Sequence, residues 1–351
     1  MWKRNMVKGK PRPYAVILVL LAIVACAFVY TYSIGRQTGR GSRTGNSTRF
    51  NQSFCLNAVQ NSTAVLFSIS NGTSCFRIDV RLNYTEAGFV SNMSAHGADF
   101  LGILDYDTVG AHPSGTGCVA GCNWTLETWN SSVREALKEY PEIHEWEIYN
   151  EPLVSNFASG YENGSARDYF NMIKSAYAII KSTEPNATIV CFGGAQLFPV
   201  SAFEYEYPFY KKVWEYGASK YCSAVSLHIY SLPYYSLSQQ VAPGVTLEEE
   251  YNYTLYSYEN MTGKPVWITE TGIPSNNGTD GLSISESNQA SFLYQDFSFL
   301  ASRKSVSRVY WFHLVGDARL GNDYGLLNRT TLRPKPAWGV FLYFARNGTM
   351  Q

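Results

Sequence analysis

EWEIYNEPL, residues 145–153, is the stretch on which our interpretation of the fold depends. It begins with the alternation of apolar and polar residues that is typical of a half-buried strand. The strand then ends abruptly at Asn150-Glu151-Pro152, where proline removes a backbone donor. The tripeptide alone is weak evidence, since Glu-Pro also occurs at Glu184-Pro185 after a helical stretch. The interpretation therefore requires a partner for Glu151 elsewhere in the chain.

A second stretch, GKPVWITETG at residues 263–272, ends in the same way at Glu270. Around these two stretches, apolar strand-like runs alternate with amphipathic helix-like runs, which indicates a parallel sheet covered by helices. Seven strand candidates lie between residues 76 and 315, and we expect an eighth within RFNQSFCLN, residues 49–57. This count favours a single (β/α)8 barrel over an open sheet, and no glycine-rich dinucleotide or phosphate fingerprint follows any strand.

The predicted elements alternate along the chain. Helices are expected over residues 129–140, where Ser132 and Glu135 form a capping box, from about Arg167 to Ser182, and around Glu286 to Arg303. The strands are expected at residues 76–80, 99–106, 146–149, 188–192, 224–230, 265–269 and 308–315.

In such a barrel, catalytic residues lie at the carboxyl ends of the strands. Glu151 follows the fourth strand and Glu270 ends the seventh, so the two carboxylates face each other across the mouth. Two carboxylates about 5 Å apart are the arrangement that retaining glycoside hydrolysis needs. One attacks the anomeric carbon, and the other must be protonated at the start. The sequence thus predicts a catalytic pair, Glu151 and Glu270.

Other residues at the strand ends have predicted supporting roles in substrate binding. Asn150 is expected to donate to the sugar 2-hydroxyl, and Arg77 to lie beneath the nucleophile and hold it ionised. Trp311 is expected to stack on the sugar face, and Tyr230 to screen the carboxylates from water. His228 ends the sixth strand together with Tyr230.

This constellation resembles the clan A retaining glycoside hydrolases, whose catalytic carboxylates lie on barrel strands 4 and 7. Asn150-Glu151-Pro152 is similar to the strand 4 motif, which implies that Glu151 is the acid/base, and Glu270 corresponds to the strand 7 nucleophile. The segment FRID at residues 76–79, the pair His228 and Tyr230, and Trp311 match further clan positions. The resemblance covers roughly residues 60–345 and includes both the family 39 and the family 5 members, except that Asp105-Tyr106 replaces the histidine common in cellulase-like enzymes.

The N-terminus predicts a membrane anchor. A basic segment, residues 1–13, precedes an uncharged apolar run within residues 14–34, which is long enough to span a bilayer. The basic side is expected to stay in the cytoplasm, followed by a flexible linker at 35–48 and an extracellular domain at 49–351. Two alternatives remain open, a cleaved signal peptide and lipidation at Cys26.

Composition agrees with an exterior location. Net charge is zero, so no nucleic-acid partner is indicated. Six cysteines beyond Cys26 predict disulfides, with our pairing being Cys55–Cys75, Cys118–Cys122 and Cys191–Cys222. Scattered histidines argue against a metal site, no cofactor is predicted, and the oligomeric state is open. Fifteen Asn-x-Ser/Thr sequons predict N-linked glycans, at Asn46, Asn51, Asn61, Asn71, Asn83, Asn92, Asn123, Asn130, Asn163, Asn186, Asn252, Asn260, Asn277, Asn328 and Asn347.

The function predicted from these observations is a membrane-anchored extracellular glycosidase that acts on β-linked glycans. The alternative is a catalytically inactive barrel that serves as a carbohydrate-binding or surface-layer glycoprotein. The pair of carboxylates and its polar neighbours favour the enzyme. A barrel that only binds carbohydrate has little need of an acid/base glutamate.

Overall fold

The computed structural model describes residues 52–58, 60–82, 86–105, 108, 125–153, 163–196, 201–231, 234–275, 284–316 and 323–348. The chain divides into two units, Met1–Thr48 and Arg49–Gln351, and all described residues belong to the second. The predicted cytoplasmic tail, membrane anchor, linker and Cys118–Cys122 pair lie outside the described residues. Among the described helices, none combines the length and apolar character that a membrane span requires.

Eight parallel strands close into a barrel, as predicted. In chain order the strands, including a small hairpin, are β1 (Ser53–Asn57), β2 (Cys75–Asp79), β3 (Asp99–Leu104), β4 (Glu145–Ile148), β5 (Thr188–Gln196), β6 (Ala224–Tyr230), β7 (Gln240–Ala242), β8 (Val245–Thr246), β9 (Val266–Gly272) and β10 (Val306–Trp311). Around the barrel the order is β1-β10-β9-β6-β5-β4-β3-β2, and β7 pairs with β8 outside it. The weakly patterned N-terminal segment does supply the first strand, because β1 pairs in register with both β10 and β2.

Helices follow the strands and cover the barrel. They are α1 (Ser62–Ser70), α2 (Glu86–Ser94), α3 (Leu126–Glu139), α4 (Asn163–Thr183), α5 (Ser201–Glu215), α6 (Leu247–Thr262), α7 (Glu286–Ala301) and α8 (Pro336–Asn347). The predicted capping box at Ser132 and Glu135 is wrong. The N-cap of α3 is Thr125, whose side chain accepts from the Thr128 backbone N–H. Ser132 is instead a buried residue in the second turn of the helix.

The apolar core forms two separate regions. The larger fills the space between strands and helices, and the smaller fills the barrel interior. The interior cluster draws one inward-facing side chain from each of six strands: Cys55, Leu101, Val190, Ala224, Trp267 and Tyr310. Beneath it, the Arg308 guanidinium pairs with the Glu145 carboxylate and lies 4.3 Å from the Trp267 ring centroid. The barrel is therefore packed below its mouth, which confines any large ligand to the carboxyl ends of the strands.

Two predicted disulfides are present among the described residues. Cys55–Cys75 joins β1 to β2, and Cys191–Cys222 joins β5 to the segment before β6. Both pairs are buried or nearly so. Disulfides persist in oxidising compartments, so they favour a secreted or extracellular domain.

Candidate active site

The backbone at the end of β4 turns so that Glu151 enters the barrel mouth. Tyr149 and Glu151 have positive φ values of 73° and 44°, which is uncommon for residues with a side chain. The Glu151 N–H donates to the Gly193 carbonyl oxygen on β5 at 2.9 Å. Gly193 itself has a φ of 56°, and a Cβ atom there would lie 2.6 Å from the Tyr149 carbonyl oxygen. A glycine on the neighbouring strand thus permits the turn that orients Glu151.

Glu270 lies in β9, in which all seven residues are buried. Its carboxylate receives two strong hydrogen bonds: Arg77 donates to Oε1 at 2.6 Å and the Tyr230 hydroxyl donates to Oε2 at 2.5 Å. Burial alone would raise the pKa of Glu270. The charges of His228 and Arg77 and the hydrogen bond from Tyr230 outweigh burial, so the pKa is lowered and the carboxylate is ionised at neutral pH.

Glu151 lies beside Glu270 and is linked to His228. The distance from His228 Nδ1 to Glu151 Oε1 is 2.7 Å, and from Nδ1 to Glu270 Oε2 it is 3.7 Å. One side-chain atom from each of these three residues lies within 4.8 Å of the others. The two carboxylates are thus as close as in retaining glycosidases and closer than the roughly 6.5–9.5 Å of inverting ones.

Arg77 on β2 is the hub beneath this pair. It is 2% exposed and donates to the Glu147 carboxylate at 2.5 Å, to Asn57 Oδ1 at 3.0 Å and to Asn150 Oδ1 at 2.8 Å, besides Glu270. Burial alone would lower its pKa, but the two carboxylates outweigh burial and raise it. Arg77 is therefore a permanent cation that organises the base of the site.

The protonation of the surrounding groups follows from their neighbours. Burial would lower the pKa of His228, but the charges of Glu270 and Glu151 outweigh it and raise the pKa. The Nδ1 atom of His228 lies 2.7 Å from Glu151 Oε1, and its Nε2 atom lies 3.4 Å from Arg77 Nη2. Burial and the Glu270 charge raise the pKa of Tyr230 well above its ordinary value, so its hydroxyl stays a donor.

Among the described residues, Glu151, His228 and Glu270 form the one carboxylate and histidine group close enough to bind a metal ion. Both Glu270 oxygens, however, already accept hydrogen bonds from Arg77 and Tyr230. The positive charge of Arg77 also lies directly against the group. The oxygens of Glu270 therefore serve as hydrogen-bond acceptors, and the arrangement is that of two neighbouring carboxylates held by protein donors.

The structure does not bring Trp311 to the mouth, contrary to the prediction. Along β10, Arg308 and Tyr310 face the barrel interior, so the alternation of a strand turns Trp311 outward. Its side chain is fully buried, edge-to-face with Phe297 of α7, and its Nε1–H donates to the Tyr324 carbonyl oxygen at 3.1 Å. Trp311 therefore supports the loop that carries Tyr324.

The aromatic wall of the mouth comes instead from Phe312, Tyr324 and Tyr230. Their rings pack edge-to-face, with centroids 6.0 Å apart for Tyr230 and Phe312 and 5.5 Å apart for Phe312 and Tyr324. Phe312 is the next inward position after Tyr310, so counting by two from Arg308 would have indicated it. Tyr324 follows a loop and has no such pattern.

Two buried carboxyl groups near the pair were also missed. Glu147, fully buried on β4, bonds to Arg77 and accepts from the Thr269 hydroxyl at 2.9 Å. Its inward position is apparent from the alternation of Glu145 and Glu147. Glu206 of α5 is buried, and burial together with the Glu151 charge raises its pKa to about 9, so it is neutral at pH 7. No pattern in the sequence marks Glu206.

Comparison with known proteins decides the family. The sequence model of the cellulase family, glycosyl hydrolase family 5, matches residues 123–313, more than half of the chain. The chain belongs to this family. It is therefore a family 5 glycoside hydrolase of the retaining clan A. No curated protein sequence matches it.

Solved structures similar to this family 5 enzyme share its fold. The catalytic domain of an Ignisphaera aggregans GH53 protein has a TM-score of 0.61 at 16% identity, covering 87% of this chain and 98% of that one. A GH128 endo-β-1,3-glucanase from Amycolatopsis mediterranei has a TM-score of 0.53 at 15% identity, with coverages of 84% and 98%. A GH2 β-galacturonidase from Eisenbergiella tayi has a TM-score of 0.55 at 19% identity. The comparison covers 85% of this chain but 51% of the galacturonidase, so the chain spans about half of that protein.

Proposed function

We propose that this enzyme cleaves β-glycosidic bonds by double displacement, with Glu270 as the nucleophile and Glu151 as the acid/base. The observation that carries the proposal is the close approach of two carboxylates, within 4.8 Å, of which Glu270 is held ionised by hydrogen bonds from Arg77 and Tyr230. The two groups differ in their surroundings, as an acid and a nucleophile must.

In the first step, a Glu270 oxygen forms a bond to the anomeric carbon while the glycosidic C–O bond breaks. Glu151 gives its proton to the departing oxygen, so the leaving sugar departs as an alcohol. In the second step, Glu151 takes a proton from water, whose oxygen bonds to the anomeric carbon and displaces Glu270. Two inversions retain the configuration.

The neighbours have separate roles in this scheme. Asn150, whose Oδ1 atom accepts from Arg77, is the proposed donor to the sugar 2-hydroxyl through its Nδ2 group. His228 orients the Glu151 carboxyl through its Nδ1 atom. Phe312 and Tyr324 replace Trp311 as the candidate stacking surface. The identity of the sugar is to be determined by comparing hydrolysis rates across different β-glycosides.

The experiment is hydrolysis of a panel of aryl β-glycosides and β-linked oligosaccharides by the full chain and three variants. We expect Glu270→Ala to have no detectable turnover and Glu151→Ala to lose about 10²–10⁴-fold in activity. Glu184→Gln, which alters the other Glu-Pro dipeptide, is the control and should match the wild type. Wild-type inactivity on every substrate, or equal turnover by Glu270→Ala, contradicts the proposal.

We also propose that residues 14–34 anchor the enzyme in a membrane, with residues 1–13 in the cytoplasm, a linker at 35–48 and the glycosylated domain 49–351 outside. The two disulfides and the basic, then apolar, N-terminus support this arrangement. Protease added to intact cells is expected to digest the domain, and carbonate extraction to leave it in the membrane fraction. A protected domain or a fully extracted protein would contradict it.

A further inference from the structure

Exposed apolar side chains are not scattered evenly over the described part of the domain. The large ones with the greatest exposure lie mostly beside sequon asparagines. Tyr253 is adjacent to Asn252, and three others lie one helical turn from a sequon asparagine. The full set is Leu126, Tyr235, Tyr253, Tyr256, Tyr294 and Tyr343.

The outer face of α6 has the densest arrangement. Asn252, Tyr256 and Asn260 follow at intervals of four, so they lie on one face of the helix. Tyr256 is 64% exposed, and Tyr253 is 58% exposed. Tyr256 thus lies one turn from a sequon asparagine on either side.

A groove opens beside Asn252. It has a volume of about 440 Å³ and is lined by Asn252, Tyr253, Tyr256, Glu259 and Arg303, among others. Tyrosine rings offer flat apolar faces with a polar tip, which suit the C–H face of a pyranose. A carboxylate and a guanidinium beside them supply an acceptor and donors for hydroxyl and N-acetyl groups.

The same spacing recurs on two other helices. On α3, Leu126 is 44% exposed and lies four residues before Asn130. On α8, Tyr343 is 46% exposed, and the Asn347 amide donates to its carbonyl oxygen. The pairing of an exposed apolar side chain with a sequon asparagine is therefore not confined to α6.

We infer that the groove on α6 is the seat of an N-linked glycan attached at Asn252, and that this glycan together with one at Asn260 covers Tyr253 and Tyr256. The inference rests on the proposed exterior location. The ligand is the chain's own covalent oligosaccharide, whose first sugars lie against the tyrosine rings. On α8, a glycan at Asn347 covers Tyr343 in the same manner.

The attachment balances as a group transfer from a lipid-phosphate-linked oligosaccharide. The Asn252 Nδ2 atom bonds to the anomeric carbon of the first sugar and loses a proton. The sugar–phosphate bond breaks, and the lipid phosphate leaves with the bonding electrons. Because the sequon residues Thr254 and Thr262 are only 1% and 9% exposed, the transferase must recognise both sequons before the domain folds.

The test uses the full chain made in a eukaryotic secretory pathway. Peptide mass spectrometry after enzymatic glycan release is expected to find Asn252 and Asn260 occupied. Nitration of Tyr256 with tetranitromethane is expected to rise severalfold when a peptide N-glycosidase trims the whole glycans from the folded protein, and in the Asn252→Gln/Asn260→Gln variant. Trimming acts on a protein that is already folded, so it does not depend on the folding of the variant.

Two controls accompany the test. Asn92→Gln, at an exposed sequon on α2, should leave Tyr256 nitration unchanged, and Tyr235, with no sequon asparagine within four residues, should be nitrated equally in all samples. Unmodified Asn252 and Asn260, or equal Tyr256 nitration before and after trimming, overturns the inference. Aryl glycoside turnover is measured on the same samples and is expected to be equal. Its absence in all of them contradicts the catalytic proposal alone.

Discussion

At the scale of single residues, Arg77 determines how the site is charged. Its guanidinium bonds to two carboxylates and two amides, and each bond fixes a group that faces the mouth or supports one that does. Such a planar, permanently charged fork cannot be replaced by lysine without losing several of these bonds at once. The state of Glu270 therefore depends on neighbours as much as on its own burial.

Removing the Tyr230 hydroxyl should change the pH dependence of catalysis. This hydroxyl helps to lower the pKa of Glu270, so Tyr230→Phe raises that pKa. The nucleophile must be ionised, and activity is lost as pH falls through its pKa. In the pH profile of kcat/KM, we expect the acidic limb to move to higher pH by about 1–2 units. This shift is equivalent to the free energy of one hydrogen bond to a charged group. An unchanged limb would show that the bond does not stabilise the ionised form; Tyr234→Phe is the control.

Asp296 should make stability depend on pH. It is fully buried, and burial raises its pKa from 3.8 to about 7, against one hydrogen bond from Thr271. Between these values the folded protein retains a proton that the unfolded chain has released. The contribution of Asp296 to stability therefore falls as pH rises from about 4 to 7.

The corresponding variant is Asp296→Asn, which keeps an acceptor for Thr271. We expect it to be more stable than the wild type at pH 8, by up to roughly 4 kcal/mol, with a much smaller difference at pH 4. Urea unfolding at both values measures the difference. Parallel stability curves for the two proteins would disprove the assignment.

At the scale of elements, the end of β4 and the middle of β5 form the strained part of the site. Tyr149, Glu151 and Phe192 have positive φ values, next to Gly193 on β5. Left-handed backbone costs a residue with a side chain about 1–2 kcal/mol. Strain of this kind concentrates where the surrounding structure holds it in place, commonly at functional sites.

Gly193→Ala should therefore impair catalysis beyond its effect on stability. The added Cβ would lie 2.6 Å from the Tyr149 carbonyl oxygen and force the turn that orients Glu151 to move. A displacement of about 1 Å would lower kcat/KM by about 10²-fold. Gly217→Ala is the matched control, since its φ is also positive, at 100°, but nothing lies within 4 Å of the added atom. Equal kcat/KM in the two variants would contradict this role of Gly193.

The helices and strands could be predicted where the hydrophobic periodicity is strong. The position of a side chain at the mouth could be predicted where the sequence clearly marks the end of its strand. Glu151 and Glu270 follow or end apolar runs with a defined last residue, so their position at the mouth could be predicted. The prediction for Trp311 failed because no turn residue marks the end of β10, although strand alternation from Arg308 places Tyr310 and Phe312 inward and Trp311 outward. Glu206 could not be predicted at all, since its proximity to Glu151 arises from the packing of α5 on the barrel.

At the scale of the whole molecule, two covalent links support the barrel on opposite sides. Cys55–Cys75 joins the first two strands, and Cys191–Cys222 joins strand β5 to the approach to β6. The cross-linked residues are separated by 20 and 31 positions. In the unfolded chain these disulfides close two separate loops, one in the segment that forms β1 and β2 and the other in the segment that forms β5 and leads to β6.

Removing either disulfide should destabilise the domain by about 3–4 kcal/mol, the loop-closure value for these separations. Cys55→Ala/Cys75→Ala and Cys191→Ala/Cys222→Ala are measured by urea unfolding against the wild type. A reducing agent should lower the wild-type midpoint by more than it lowers that of the variant with all four cysteines replaced. A wild-type midpoint that is insensitive to reduction would show that the links do not contribute.

The charge balance around Arg77 has a consequence for inhibition. Arg77 is shared between two buried carboxylates, Glu147 and Glu270, so Glu270 can still attract a second cation in the mouth. A protonated imino sugar, whose ammonium group takes the place of the developing oxocarbenium ion, supplies that cation. The site should therefore favour such amines over neutral lactones of the same ring shape, and lose that preference at pH values where the amine is neutral.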